Sequence, residues 1–579
     1  MLVQTCQRTT PSRHLSALVY VAKRFLLTLA IETSCDDTSV AVLEKHDDPQ
    51  NGSLLPQLEE RATLYFHKKV TADNLKFGGV HPLVSLDSHQ SNLAILIKEA
   101  IKNLPDSSEN TGGCEHGETV QVRTEDGYLQ KRKPDLISVT RGPGMRSSLS
   151  TGLDTAKGLA AAWQVPIVGV NHMQGHALTH QLVAALDNTC DLVNATSFPF
   201  LSLLVSGGHT LIVQSSSLNS HKILADTSDI AVGDALDKIA RSVLPAELLR
   251  TSGEIMYGRL LERFVFPDGG TDYGYTAPLR RHEEIERRES QWGWSLGIPL
   301  AETKHGSKSK SMEFSFSGLS SHCSKIVETR GEQMDIEERR YLGREAMRIA
   351  FEHLASRVVM GLWHIEGATA TVAVQAQQQS SLLRHNSVVA TSSHRVLHDG
   401  VEALPPSPLS DRLVKAGAKQ SLSARAIKSE RPTDHRSLVA EDGDDHDGGT
   451  QRQSTKVIDL VVSGGVAANL FLRAVLRSYL VARNLSHIKL NFPPRELCTD
   501  NAAMIGWTGI KMYEAGFESE LSVRALRKWS LDDAEAPPGD EGGLKEGGGI
   551  LGVEGWRRRR GKDTPAKRRD RLEQDNRKK

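Results

Sequence analysis

Residues 135–176 alternate between apolar strand-like segments and helical segments, and this alternation is the strongest constraint on the fold. The segment DLISVT predicts a strand over residues 135–140, and a Gly-Pro-Gly loop follows it. A run of small and apolar residues then predicts a helix over about 147–163. The next apolar run, VPIVGV, predicts a strand over 165–170 that leads directly into another helix. This order indicates an α/β protein.

The helix that follows the second of these strands carries two histidines, His172 and His176. Four residues make about one helical turn, so both imidazoles leave one face of the helix and are able to bind one metal ion. A metalloprotease helix of this kind has glutamate next to the first histidine as a general base. This chain has Met173 and Gln174 between the pair, and an amide cannot accept a proton. The pair predicts a metal site without that base, and the alternative is that one histidine faces solvent and the other caps a helix.

The composition excludes several classes of protein. A length of 579 residues favours more than one domain. The 71 basic residues equal the 71 acidic ones, which argues against a uniformly basic nucleic-acid-coating protein. The six cysteines are scattered without CxxC spacing, so neither a zinc ribbon nor a disulfide framework is expected. No apolar run approaches the length of about 20 residues that spans a bilayer, so no membrane partner is expected.

Residues 1–25 have the composition of a mitochondrial presequence. They contain four basic residues together with serine and threonine, and the first acidic residue of the chain is Glu32. The segment RHLSALVYVAKRF is able to gather its apolar side chains on one helical face. An ordinary frayed terminus is the alternative.

Several loops between apolar strands have residues suited to binding phosphate or metal. The segment TSCDDT, which contains Asp36 and Asp37, joins two predicted strands. The tetrapeptide VSGG follows a strand at 205–208 and again at 462–465, where it opens a helix. Glycine lets a backbone approach a phosphate closely, and the repeat predicts two similar lobes facing one nucleotide across a cleft. A helix with Asp237 is either a solvated face or a contact to ribose hydroxyls.

Two segments lack the apolar residues that a core requires. Residues 366–455 are rich in glutamine, serine, arginine and aspartate, and they predict a disordered insertion. Residues 526–579 are rich in glycine and charge, end in a basic run, and predict a disordered basic tail.

Nine motifs, taken together and in order, resemble one protein family. They are LAIETSCDDTSVAV, GGVHPLVSLDSH, ISVTRGPGMRSSLSTGLDTAKGLA, GVNHMQGHA, LLVSGGHT, DALDKIAR, FSFSGL, VVSGGVAAN and LCTDNAAMIGW. The sequence resembles the tRNA N6-adenosine threonylcarbamoyltransferases, formerly described as O-sialoglycoprotein endopeptidases, and with its presequence it is similar to their mitochondrial branch. The resemblance implies an actin-like ATPase fold, the sugar kinase and heat-shock chaperone architecture of two related α/β lobes around a nucleotide cleft.

The resemblance also implies domain limits. The first lobe, with the histidine pair, covers residues 26–195, and the second covers 196–525. The final helix, near 500–517, returns to the first lobe.

The resemblance assigns site residues by motif. One divalent metal ion per subunit, iron or zinc, is held by His172, His176 and Asp500. Without the resemblance, Asp500 is a good helix cap by residue type. The residues assigned to the adenylate are Leu204, Val205, Ser206, Gly207, Gly208, Asp237, Gly253 and Asn469. Gly253 depends on matching TSGE to a Gly-Gly-Pro turn of the family. The general base is not identified, and Asp36 and Asp37 are candidates.

The implied reaction transfers a threonylcarbamoyl group from threonylcarbamoyl-adenylate to the exocyclic amine of the adenosine 3′ of the anticodon. The partners implied are tRNAs that read codons beginning with A, a separate synthase that supplies the adenylate, and a second copy of the chain in a homodimer. The location implied is the mitochondrial matrix. Two other functions stay open: a metallopeptidase, and a non-catalytic nucleotide-binding regulatory module. Kinase activity is compatible with such a fold, but a fold does not determine function.

Overall fold

The structure, a computed structural model, describes most of the chain between residues 25 and 559. The described residues are 25–49, 58–77, 79–107, 118–125, 127–187, 197–252, 257–269, 273–301, 306–392, 459–535 and 548–559. Contacts divide the chain into one unit of residues 1–366 and 457–579 and another of residues 367–456. The presequence predicted for 1–25 lies outside the described residues except for Phe25. No helix within the described ranges is long and apolar enough to cross a membrane.

Fifteen strands and eleven α-helices occur in the described residues. The strands are β1 Phe25–Glu32, β2 Asp37–Pro49, β3 Leu58–Thr71, β4 Thr119–Thr124, β5 Gly127–Arg132, β6 Leu136–Gly142, β7 Ile167–Asn171, β8 Phe200–Val205, β9 Thr210–Ser215, β10 His221–Thr227, β11 Glu313–Phe314, β12 Leu460–Ser463, β13 Leu490–Asn491, β14 Phe517–Ser519 and β15 Trp556–Arg558. The helices are α1 Pro82–Lys102, α2 Arg146–Trp163, α3 His172–Leu186, α4 Val232–Val243, α5 Ala246–Thr251, α6 Tyr257–Val265, α7 Ser317–Arg330, α8 Ile336–Ser392, α9 Leu470–Ala482, α10 Arg495–Cys498 and α11 Ala502–Glu514.

The first large sheet has seven strands in the order β15-β14-β7-β6-β1-β2-β3. Strand β1 pairs antiparallel with β2 and parallel with β6, and β6 pairs parallel with β7. Strands β6 and β7 are buried along their whole length because helices cover both faces of the sheet. The alternation predicted over 135–176 is present as β6, α2, β7 and α3, and the α/β fold is confirmed.

The second large sheet has six strands in the order β11-β10-β9-β8-β12-β13. Strand β8 pairs antiparallel with β9 and parallel with β12, and β12 pairs parallel with β13. The strand directions of β3-β2-β1-β6-β7 in the first sheet therefore recur as β10-β9-β8-β12-β13 in the second.

The two VSGG motifs do not belong to opposite lobes, which corrects the sequence prediction. They follow β8 and β12, which are parallel neighbours in the second sheet, with Ser463 opposite Leu204. Both strands are buried and apolar, so each fits the centre of one sheet, and a tetrapeptide repeat cannot distinguish neighbouring strands from related lobes. The loop that corresponds to SGGHT between β8 and β9 is TSCDDT between β1 and β2.

Helix α11 comes late in the chain but packs on the first sheet. It contacts β1, β2 and β6 and also helix α3. Two glycines face the sheet, and the approach is so close that a Cβ at Gly509 would lie 2.1 Å from Ser138 Oγ. Asn501 caps the helix, since its side-chain oxygen accepts a hydrogen bond from the Met504 amide at 3.0 Å. This packing brings the residue before the cap, Asp500, towards the start of α3.

Helix α8 departs from the prediction of a disordered insertion at 366–455. The helix packs its first part in the core of the second sheet, where Phe351 and Leu362 are fully buried, and it continues to Ser392. Residues 366–392 are therefore helical, because a helix that is well anchored at one end propagates through residues of ordinary helix propensity. Residues 393–455 lie outside the described residues.

The predicted disordered tail at 526–579 is also corrected in part. Strand β15 pairs antiparallel with β14 and extends the first sheet. Trp529, Ile550 and Val553 are buried, and the Arg141 side chain donates hydrogen bonds to the carbonyl oxygens of Arg524 and Glu554. A few spaced apolar residues are enough to anchor this segment on the sheet, although its overall composition is polar. Residues 536–547 and 560–579 lie outside the described residues.

Candidate metal centre and substrate site

The structure brings His172, His176 and Asp500 together. Helix α3 begins at His172 and is capped by Asn171, whose side-chain oxygen accepts hydrogen bonds from two backbone amides of the first turn. The histidines therefore extend from the first and second turns of the helix. Asp500 is not the cap of α11, because Asn501 has that role, and its carboxylate is free to face the histidines.

The distances from Asp500 to the two histidines match those expected around one ion, and the ligand atoms of all three residues lie within 4.8 Å of one another. Asp500 Oδ1 lies 3.0 Å from His176 Nε2 and 3.4 Å from His172 Nε2. Two donors that each bind one ion at about 2.1 Å are about 3.0–3.4 Å apart at octahedral or tetrahedral angles. Two imidazoles and one carboxylate suit zinc or ferrous iron and leave positions for a substrate. The donor set therefore fits a divalent metal.

Glu32 supports the metal centre, and the sequence analysis did not identify it. Its carboxylate lies 3.2 Å from His172 Nδ1, on the side of the ring opposite Asp500, and the residue is fully buried at the end of β1. The Ser34 amide and the Thr140 hydroxyl donate to the same carboxylate. Such an outer carboxylate fixes the orientation of a metal-binding imidazole. In the sequence, the one feature that could have indicated this role is that Glu32 ends an otherwise apolar strand.

The charges around His172 are strongly coupled. Burial alone would lower the pKa of His172, but the carboxylates of Asp500 and Glu32 raise it well above its usual range. Burial would likewise raise the pKa of Asp500, and His172 together with His176 holds it well below its usual range. Two ionised carboxylates next to two imidazoles make an environment that favours a cation.

The SGGH loop of the second sheet lies next to this centre. Helix α3 contacts β8, the strand that leads into this loop. Burial and the charge of His172 lower the pKa of His209 to about 4. Ser206 Oγ accepts hydrogen bonds from the amides of Gly208 and His209, at 3.3 and 3.0 Å, which fixes the loop. Gly207 and Gly208 are exposed, and a Cβ added at either would meet nothing within 4 Å. Open backbone of this kind is accessible to a ligand.

The other residues predicted for the substrate lie in several positions. Leu204 and Val205 are buried in β8, so only their backbone is available to a ligand. Asp237 lies on α4 and accepts a hydrogen bond from the Gly258 amide at 2.7 Å, and burial raises its pKa to about 6. Asn469 caps α9. Gly253 lies outside the described residues.

At the ends of β8 and β12, two glycines pack directly against the backbone of the SGGH loop and of the strand that leads into it. A Cβ at Gly233, near the start of α4, would lie 2.6 Å from the Ser206 carbonyl oxygen. A Cβ at Gly464 would lie 2.3 Å from the Val205 carbonyl oxygen, and Gly464 has a positive φ of 100°. The SGGH loop, the start of α4 and the VSGG loop after β12 therefore share one edge of the second sheet.

Asp36 and Asp37 lie at the turn between β1 and β2, and both are hydrogen bonded. Asp37 accepts from Lys69 Nζ at 2.8 Å and from the Thr71 hydroxyl, and burial raises its pKa to about 6 despite Lys69. Lys69 also donates to the Thr499 hydroxyl at 3.0 Å, and Thr499 precedes Asp500 in the chain. Asp37 is therefore linked to the metal centre through Lys69.

Gln174 does not face the metal centre. It is buried, and its Nε2 donates a hydrogen bond of 2.8 Å to the Leu218 carbonyl oxygen. An amide engaged in this way supplies no base for attack by water, and this argues against peptidase chemistry at the site.

Comparison with known proteins identifies the family. The profile of the family TsaD, tRNA N6-adenosine threonylcarbamoyltransferase, matches residues 118–393 and 444–507. The mitochondrial tRNA N6-adenosine threonylcarbamoyltransferase of Schizosaccharomyces pombe is 29% identical over 543 residues, which cover 93% of this chain and 90% of that protein. The tRNA N6-adenosine threonylcarbamoyltransferase of Brucella abortus strain S19 is 28% identical over 510 residues, covering 88% of this chain and 96% of that protein.

Among solved structures, YeaZ from Pseudomonas aeruginosa matches with a TM-score of 0.19 and 14% identity, over 34% of this chain and 64% of that chain. The profile match covers more than half of the chain. The chain therefore belongs to the tRNA N6-adenosine threonylcarbamoyltransferase family.

Proposed function

We propose that this protein transfers the threonylcarbamoyl group of threonylcarbamoyl-adenylate to the exocyclic amine of the adenosine 3′ of the anticodon, in tRNAs that read A-initial codons. The observation that carries the proposal is the convergence of His172, His176 and Asp500 beside the SGGH loop, within a chain of this family. A metal-binding centre beside open backbone amides suits the transfer of an acyl group from a phosphate leaving group.

The adenylate would lie along Leu204 to Gly208. The amide of Gly207 would donate to its phosphate, because backbone at an exposed glycine is accessible, and the Gly208 amide would exchange its 3.3 Å contact with Ser206 Oγ for the phosphate. The carboxylate of Asp237 would accept hydrogen bonds from ribose hydroxyls. Asn469 and Gly253 complete the adenylate site in this proposal.

The exocyclic amine of adenine is a poor nucleophile, so the acyl donor must be activated. A mixed anhydride with AMP provides a good leaving group: the new bond forms between the amine nitrogen and the carbamoyl carbon, and the carbon–oxygen bond to AMP breaks. Asp37 is the better candidate to accept the proton of the amine, because a carboxyl with a pKa of about 6 is largely ionised at neutral pH. Asp36 is the alternative base. The remaining contribution of the chain is orientation of the two substrates.

A divalent ion, iron or zinc, bound by His172, His176 and Asp500 would act as a Lewis acid that neutralises negative charge on the donor. Glu32 would hold His172 in the orientation that presents Nε2 to the ion. The same outer contact would keep Nδ1 protonated, so that the ring offers its other nitrogen as the ligand.

The wider setting is also proposed. The matching strand directions of the two sheets support two related lobes of the actin-like ATPase type, with the adenylate in the cleft between them. The presequence over residues 1–25 and the mitochondrial relative support a mitochondrial location, in the matrix. The adenylate would come from a separate synthase, and the chain would work as a homodimer.

Transfer in vitro tests the proposal. The purified chain, loaded with metal, is incubated with threonylcarbamoyl-adenylate and an unmodified tRNA that reads an A-initial codon, and digested tRNA is analysed by mass spectrometry. We expect threonylcarbamoyladenosine from wild type and none from His172→Ala. The matched control is His180→Gln, a third histidine of α3 that packs on the Phe200 ring instead of facing Asp500, and it should retain activity.

Absence of product from folded, metal-loaded wild type that still binds the adenylate would support the regulatory module instead. Proteolysis of a protein substrate that a chelator abolishes would support the metallopeptidase. Either result would overturn the proposed transfer reaction.

A further inference from the structure

An exposed pair of stacked rings lies on the loop between β3 and α1. The Phe77 and His81 rings are 4.2 Å apart between centroids, with their planes inclined by 26°. The Phe77 side chain is 54% exposed, and the nearby apolar side chains of Leu75, Val80 and Leu83 are exposed as well. A cluster of exposed apolar side chains, here on the loop and the first turn of α1, typically marks a contact surface.

Hydrogen bonds to a buried asparagine, Asn74, hold this stacked pair in place. Asn74 Oδ1 accepts a hydrogen bond from the His81 amide at 3.0 Å, and its Nδ2 donates to Asp36 Oδ2 at 3.1 Å. The Phe77 amide donates to the Asn74 carbonyl oxygen at 3.0 Å. The two rings are therefore positioned on the turn that carries the candidate bases, and little ordering is required when a ligand binds.

The stacked pair lies at the rim of the proposed active site. Its anchor Asp36 adjoins Asp37, which is linked through Lys69 and Thr499 to the metal ligand Asp500. The same loop also meets the second sheet's helices, because a Cβ at Gly79 would lie 3.5 Å from the Arg241 guanidinium.

Arg241 on α4 places a positive charge at this rim, and Tyr257 beside it is a further aromatic residue. Its guanidinium lies over the Tyr257 ring, 5.3 Å from the centroid. The rim thus combines one exposed aromatic ring, two half-buried rings and a cation. Unpaired RNA bases stack on aromatic and histidine rings, and cations contact the neighbouring phosphates.

We propose that the stacked pair, Phe77 and His81, is a platform on which one unpaired base of the tRNA anticodon loop stacks while the neighbouring adenosine enters the metal centre. This inference rests on the proposed function, which supplies the RNA substrate. A protein partner is the less favoured occupant, because the platform borders the site that the adenosine must reach and has a guanidinium beside it.

The test measures RNA binding directly, so it does not depend on catalysis. A fluorescent anticodon stem-loop RNA is titrated with the full chain and with four variants: Phe77→Ala, Phe77→Leu, Phe77→Trp and Tyr128→Ala. Tyr128 is the matched control, an aromatic residue that is 63% exposed on β5. Metal content and melting temperature are measured for each variant to establish that the fold is intact.

We expect Phe77→Ala and Phe77→Leu to weaken binding by about 5- to 150-fold, the range for loss of one base–aromatic stack. Phe77→Trp should bind within about threefold of wild type because it retains a π face, and Tyr128→Ala should not change binding. Replacing loop nucleotides one at a time by abasic sites should reveal one position at which wild type and Phe77→Ala bind equally well.

Unchanged binding by Phe77→Ala would overturn the proposal, and so would wild-type binding by Phe77→Leu, since leucine supplies apolar area without a π face. A change in oligomeric state of Phe77→Ala with unaltered RNA binding would show that the platform contacts protein, and would also overturn it. If wild type binds the stem-loop but transfers nothing, the proposed function fails. RNA binding by the Phe77 variants would still show whether the stacked pair holds a base.

Discussion

At the scale of single residues, the centre depends on a buried acid that binds no ligand itself. Glu32 is fully buried, and its contact to His172 Nδ1 is supported by donors from Ser34 and Thr140. The i,i+4 spacing of the histidines predicted a metal-binding pair, and only the resemblance to the family added Asp500, which by residue type alone is a helix cap. Glu32 was missed because its role arises only when β1 lies beside the start of α3.

Replacing Glu32 by glutamine should weaken metal binding without removing a ligand. The amide keeps the size of the side chain but loses the charge that favours a protonated Nδ1, so affinity should fall by about 10- to 100-fold. Competition with a chromophoric chelator measures this affinity. The control is Glu44→Gln, a buried acid of β2 that pairs with Arg132 away from the centre. Equal metal affinity in Glu32→Gln and wild type would contradict the role assigned to Glu32.

Asp237 should make the stability of the protein depend on pH. Burial raises its pKa from 3.8 to about 6 in the folded chain, so its contribution to stability is present below pH 4 and is lost as pH rises through 6. Asp237→Asn can still accept from the Gly258 amide and does not ionise. The free energy of unfolding of wild type should therefore fall relative to Asp237→Asn by about 1–2 kcal/mol between pH 4 and 7.

Urea denaturation at several pH values measures this difference. The control is Asp234→Asn on the same helix, where the exposed pair with Lys238 should contribute less than about 1 kcal/mol. A difference between wild type and Asp237→Asn that does not vary with pH would show that Asp237 titrates normally.

At the scale of elements, helices that approach the first sheet through glycine determine where the site forms. On α2, a Cβ at Gly152 would lie 2.4 Å from Thr33 Oγ1, whereas a Cβ at Gly158 on the same helix would meet nothing within 4 Å. Thr33 lies next to Glu32, which contacts His172. The packing of α2 against Thr33 therefore helps to position Glu32 beside the candidate metal centre. The sequence predicted α2 from its periodicity, but not which of its glycines faces the sheet.

The two glycines of α2 should respond in opposite ways to alanine. Gly152→Ala forces α2 away from Thr33 and should destabilise the protein by about 1–3 kcal/mol. Gly158→Ala adds helix propensity in open space and should stabilise it by up to about 1 kcal/mol. Chemical denaturation of the two variants beside wild type measures both changes. A similar loss in both variants would contradict the close approach at Gly152.

At the scale of the whole molecule, the sequence predicted the α/β class and the order of β6, α2, β7 and α3, since periodicity reports local structure. It misassigned the two VSGG loops because pairing between β8 and β12 joins residues more than 200 positions apart along the chain, a relation that no local pattern contains. The tail was misjudged for a related reason. Trp529 belongs to a segment of polar composition but is buried, and its ring contacts Arg141 of β6, which is distant in the chain.

We expect transfer of the threonylcarbamoyl group to depend on one metal ion held by His172, His176 and Asp500. The most direct measurement follows transfer to tRNA against metal occupancy, as the chelated protein is reloaded with iron or with zinc. Activity should rise in proportion to occupancy and reach its limit at one ion per chain, and Asp500→Ala should neither retain the ion nor regain activity. Full activity in metal-free protein, or in Asp500→Ala, would contradict it.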